Sequence, residues 1–193
     1  MSTVLAGLAR IESCQGVSFV RVSPSAELGP AVRRELLSWL ERYRQLALGD
    51  SSWAYPGFAD LVAEHGVFYS PAPWTGEVRQ EPGRCFKAAS AHAERSALVY
   101  AEGYALARSA VPFVVFEHAW CVGGDGRAVD PALPDGMVQG YLGVPLNGAF
   151  RREQQRLRGT DAVFVSDPRN LFGGVNEVVL RAGLPEGAVA SPR

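Results

Sequence analysis

Cys85, His118 and Asp130 follow one another in the order thiol, imidazole, carboxylate. These side chains can make a nucleophile, the base that activates it and the group that orients the base. Pro82-Gly83 precedes Cys85, and a run with Ala88, Ala89, Ala91, Ala93 and Ala97 follows it. Alanine is the best helix former, so a helix is predicted from Arg84 to about Ala97. Cys85 then stands in its first turn, where backbone N–H groups carry partial positive charge and favour a thiolate. His118 lies in Phe-Glu-His-Ala-Trp, within a predicted strand over 111–122. On that strand Val114, Phe116, His118, Trp120 and Val122 share a face. Gly123-Gly124-Asp125-Gly126 reads as a turn. Arg127 to Asp130 reads as the returning strand, stopped by Pro131. A turn centred on Gly124 sets His118 opposite Asp130, with Cβ atoms about 4.5–5.5 Å apart. A slip of one residue would send the two to opposite faces.

Each of these residues also has a plainer reading. A free cysteine behaves as a small apolar side chain, and a lone histidine on an apolar face is more often a satisfied core residue. His118 and Cys121 form His-x-x-Cys, which with Cys85 suggests zinc. Residues three apart on a strand point to opposite faces, and structural zinc sites show paired ligands at close spacing, so no metal is expected. The sequence has no Gly-x-Ser-x-Gly elbow and no Walker loop, and Gly103, Gly123, Gly124 and Gly126 do not form a dinucleotide fingerprint. No cofactor is expected.

The elements that must position these groups follow from periodicity. Residues 17–22 read as a short strand. Pro30 opens a helix whose stripe is Val32, Leu36, Leu37, Leu40, Tyr43 and Leu46. Residues 57–65 suggest a short helix. Residues 66–83, with Phe68, Tyr69 and Trp74, read as an irregular aromatic stretch tied down on the core, or else walling a groove. Leu98 to Tyr104 alternates and reads as a strand, and Val138 to Val144 as another. Asn147 to Arg158 reads as a polar helix whose basic run, Arg151 to Arg158, is a solvated face. Residues 162–165 read as a last strand, and 183–193 as a frayed tail.

A helix opening with cysteine, followed by antiparallel strands carrying histidine and then aspartate, resembles the transglutaminase-like branch of the papain-fold cysteine enzymes. The resemblance covers roughly residues 80–145. It rests on order, spacing and element type, and on His-Ala-Trp followed by a turn and Asp-Pro. It implies Cys85 as nucleophile, His118 as general base and acid, and Asp130 as the orienting carboxylate. It also implies an oxyanion site made by the Cys85 backbone N–H and a side-chain donor, for which Gln80 is the candidate. Phe86 stands where tryptophan is the common residue, and residues 1–80 fall outside the resemblance.

Three further residues are candidates for the substrate pocket. Glu102 touches substrate or faces water, Trp120 covers the imidazole or fills the core, and Tyr141 closes the cleft or packs inside.

A chain of 193 residues with 47% hydrophobic and 20% charged residues fits one globular domain, expected over 1–182. The net charge of −1 gives no general reason to bind nucleic acid or a membrane surface. Lys87 is the only lysine, which with the abundant Ala, Gly, Val and Pro suggests a GC-rich bacterial or phage genome. Three cysteines, Cys14, Cys85 and Cys121, are too few and too odd for a disulfide framework, which favours a reduced, cytoplasmic setting. The first residues lack the pattern of a signal peptide.

The expected fold is thus α+β, a small antiparallel sheet packed on helices with the nucleophile at the N-terminus of a helix. The expected function is cysteine-dependent acyl chemistry on a peptide, protein or small amide or thioester, by hydrolysis or by transfer to an amine. The rival expectation is a non-catalytic binding protein on the same scaffold.

Overall fold

The computed structural model describes residues 21–22, 28–47, 49–76, 79, 83–166 and 174–190. In chain order the described elements are β1 (Arg21–Val22), α1 (Pro30–Gln45), α2 (Phe58–His65), β2 (Val67–Tyr69), β3 (Pro71–Ala72) and α3 (Cys85–Arg95). They continue with β4 (Val99–Leu106), β5 (Val115–Val122), β6 (Ala128–Val129), β7 (Gly140–Pro145), α4 (Gly148–Arg158) and α5 (Glu177–Ala182). The class is α+β. The strands form one seven-stranded sheet in the order β1-β2-β7-β4-β5-β6-β3. Pairing is antiparallel from β2 to β6, while β1 joins β2 and β3 joins β6 in parallel. The expected small antiparallel sheet is therefore larger and mixed at both ends.

The centre of the sheet is β4, paired along its length with β5 and with β7. Its alternation sorts the two faces. Tyr100, Tyr104 and Leu106 join Leu36, Leu40, Phe58, Leu61, Phe86 and Leu142 in the core beneath the helices. Ala101 and Ala105 pack on the other face with Val67, Tyr69, Trp120 and Tyr141. The small residues there leave room for large ones. A Cβ added to Gly143 would stand 2.5 Å from the Trp120 ring. Each fully buried aliphatic or aromatic side chain of such a core contributes about 1.5–3 kcal/mol.

The helices follow their sequence signals. Pro30 occupies the first turn of α1, Arg42 and Arg44 complement the dipole in its last turn, and Leu36 and Leu40 are buried. Cys85, Phe86, Ala88 and Ala89 form the buried side of α3. Ala89 lets α3 approach β5 closely enough for Cys121 Sγ to donate to the Ala89 carbonyl at 3.3 Å. Asn147 caps α4 by accepting from the Ala149 amide, and Gly159 ends it in the left-handed region at φ 64°.

Several elements differ from expectation. Residues 66–83 contribute β2 and β3, short strands whose partners are remote in sequence. The strand expected over 111–122 begins only at Val115. Val111 and Phe113 are 77% and 66% exposed in the turn that Ala107 N and Val114 O close. Pro112 explains this, because it has no N–H to give a sheet. Residues 162–165 are irregular, since the amides of Val163, Phe164 and Val165 all turn to one side chain, Glu102. Residues 183–190 are docked rather than frayed. Leu146 bridges Val189, Asn147 N donates to Ala188 O, and Ala190 N donates to Pro145 O. In the basic run, Arg151 is buried, with its guanidinium over the Tyr100 ring at 5.7 Å. Of the strand expected over 17–22, residues 17–20 lie outside the described residues.

Candidate active site

His118 and Asp130 are brought together by the β5–β6 hairpin. Gly123 N donates to Arg127 O, and the strands pair Cys121 with Val129 and Val122 with Ala128. The turn is thus centred one residue later than Gly124. Continued one step, this register places Asp130 beside Trp120 rather than opposite His118. The shift moves Asp130 by two positions along its partner strand, so it keeps the face that His118 shares with Trp120. The two side chains meet diagonally, with His118 Nε2 and Asp130 Oδ2 2.8 Å apart and both residues buried.

Cys85 is the first residue of α3, and it lies close enough to the His118 ring to raise its ionisation. Nε2 is taken by Asp130, which leaves Nδ1 as the ring nitrogen not bonded to the carboxylate. Cys85 belongs to the core beneath the helices, while His118 lies on the other face of the sheet. Among the described residues β6 pairs only with Cys121 and Val122, so it does not cover the His118 part of β5.

The electrostatics follow from this arrangement. Burial alone would lower the ionisation of His118. The charges of Asp130 and the Cys85 sulfur, with hydrogen bonds to both, outweigh it and push the ring up to about 10. Burial would raise the Asp130 carboxyl. The His118 charge, the hydrogen bond to it and the amides of Ala132 and Leu133 reverse this and hold it below its ordinary value. The arrangement favours the imidazolium form of the ring, which then donates from Nε2 to the Asp130 carboxylate.

Asp130 has further partners. Its Oδ1 accepts from the amides of Ala132 and Leu133 at 2.8 and 3.0 Å, and its Oδ2 also accepts from the Tyr141 hydroxyl at 2.9 Å. The ring that lies along the imidazole is Tyr141, at 6.3 Å between centroids and 25° between planes. Trp120 is fully buried against Tyr69 and Tyr141.

The pocket candidates therefore fare differently. Glu102 neither faces water nor points into a cleft. It is fully buried, accepting from the amides of Val163, Phe164 and Val165 at 2.7–2.9 Å and from the Tyr100 hydroxyl at 2.8 Å. Trp120 is a core residue, and Tyr141 is the residue that touches both His118 and Asp130. Its link to Asp130 was not legible in the sequence, because it depends on β7 sitting two strands from β5. Gln80 and Cys14 lie outside the described residues.

Beside Asp130 and Tyr141 a cavity of about 190 Å³ opens, lined also by Arg127, Leu133 and Asp135. A larger one, about 290 Å³ between α3, β4 and the start of α4, includes none of Cys85, His118 and Asp130. The smaller therefore has the closer relation to these groups. Among the described residues no cluster of three or more His, Cys, Asp or Glu is placed to hold a metal, and no helix is long and apolar enough to cross a membrane. Compared with protein-family models, curated proteins and solved structures, the chain gives no match.

Proposed function

We propose that the protein carries out thiol-dependent acyl chemistry at Cys85, on a peptide, protein or small amide or thioester, in a papain-like or transglutaminase-like arrangement and in a reducing, cytoplasmic setting. The observation that carries this reading is a buried His118 ring, held at Nε2 by Asp130 and raised in its ionisation by a cysteine at a helix start. Cys85 Sγ attacks the substrate carbonyl carbon and forms an S–C bond. Amides in the first turn of α3, which helical bonding leaves without acceptors, are suited to the resulting oxyanion. The C–N or C–S bond then breaks, and the Nδ1 proton of His118 goes to the leaving nitrogen or sulfur. Water or an amine attacks the thioester, His118 takes its proton, and the Cys85 sulfur departs. Asp130 keeps the ring oriented throughout.

Alkylation tests the reading. Native protein is treated with iodoacetamide across pH, and labelled sites are located by mass. Cys85 should label faster than Cys14 and Cys121, and His118→Ala should remove that advantage. Equal, slow labelling of all three cysteines would exclude a catalytic thiol and leave a binding role for the domain.

A further inference from the structure

We propose that Tyr141 is a positioning residue for the Cys85–His118 pair, acting through the Asp130 oxygen that it shares with the imidazole; this rests on the thiol chemistry proposed above. Asp130 Oδ2 accepts from His118 Nε2 at 2.8 Å and from Tyr141 at 2.9 Å, while Oδ1 accepts from two backbone amides. Four donors occupy the roughly four acceptor positions of one carboxylate. Such a group cannot turn without breaking a bond. Tyr141 reaches it from β7, across β4, where Gly103 pairs with both His118 and Gly143 and presents no side chain. Its ring also lies along the imidazole. One side chain thus limits the motion of both the base and its orienting partner.

The hydroxyl has a second effect. A donor on Oδ2 draws negative charge away from the oxygen that holds the imidazolium. It therefore weakens the grip of Asp130 on the ring and eases departure of the ring proton. Burial and the carboxylate hold the Tyr141 phenol well above its ordinary ionisation, so it remains a donor. Other charged or titratable groups lie around the cluster. Cys85 is on α3, Cys121 on β5, Arg127 in the hairpin, and Arg79 and Asp135 in the loops beside Tyr141.

The test compares wild type, Tyr141→Phe, Tyr69→Phe and His118→Ala. Tyr69 is buried against Trp120 and serves as a control for losing a tyrosine hydroxyl on the same face. The readouts are the His118 ring titration by NMR and the alkaline step in Cys85 alkylation, where His118 loses its proton. Tyr141→Phe should raise both by roughly half to one pH unit, and Tyr69→Phe should leave them in place. Fluorotyrosine at position 141 keeps the ring but donates more strongly, so it should lower them. It also provides the test if Tyr141→Phe fails to fold. A step that depends on His118 but ignores Tyr141 would overturn the positioning role while leaving the thiol chemistry intact. Equal shifts from Tyr69→Phe would overturn it too, as general loosening. A wild type with no step dependent on His118 would remove the thiol chemistry and the proposal with it.

Discussion

Cys121 pairs with Val129 across the β5–β6 hairpin, and this pairing decides where Asp130 falls. It puts the carboxylate one step past the strand, where Oδ1 can collect the amides of Ala132 and Leu133 while Oδ2 meets His118. A directly opposed aspartate would lie inside the ladder, with neighbouring amides committed to strand pairing.

The register is the first thing to test. Deleting Val129 carries Asp130 back into register with Cys121, on the face away from His118, while Ala128 stays paired with Val122. Selective alkylation of Cys85 should disappear while far-UV circular dichroism stays close to wild type. Unchanged selectivity in a folded deletion variant would mean that Asp130 does not orient the ring.

Stability should depend on pH in a stated direction. His118 is raised from 6.5 to about 10, so its contribution is complete below 6.5 and is lost as pH climbs through 10. Asp130 is lowered from 3.8, so its contribution is complete above 3.8 and is lost as pH falls through the depressed value. Together the pair stabilises most between roughly pH 4 and 6.5. Urea melts of wild type and Asp130→Asn should differ more at about pH 5.5 than at about pH 10.5. A gap that widens with pH contradicts the assignment.

Glu102 should matter for folding rather than for chemistry. Glu102→Gln puts an amide donor against the donors from Val163, Phe164, Val165 and Tyr100. The expected loss is about 2–4 kcal/mol in urea melts. Below the melt, Cys85 should still alkylate at the wild-type rate. A melt within error of wild type would show that the 163–165 segment is held by something else.

Asn147 offers a local check on α4. Its side chain accepts from the Ala149 amide. Asn147→Ala should cost about 1 kcal/mol by thermal melting, and Asn147→Ser much less.

Much of the fold was legible because its signals are local. Alanine content marked α3, a fixed proline marked the start of α1, and alternation marked β4. Cys85, His118 and Asp130 could be grouped because all three sit on or beside elements with such signals. Glu102 was misread because its partners lie about sixty residues further on, in a segment whose apolar run Ala162 to Val165 imitates a strand. For Tyr141 the sequence leaves cleft and core both open, since its hydroxyl partner depends on sheet order. Strands β2 and β3 were missed because two or three residues carry no period, and their pairing partners are remote in sequence.

The place of β7 also bears on how the protein is made. It fills the sheet between β2 and β4, yet it is the last of the described strands in chain order. A nascent chain that has emerged only as far as Asp130 already contains Cys85 and His118, but one edge of β4 still has no neighbour. Such an edge is open to pairing with another chain. Arrival of Gly140–Pro145 closes the gap and brings Tyr141 to Asp130 in the same event. Translation that pauses before Gly140 should therefore favour aggregation, whereas a pause after Pro145 should not.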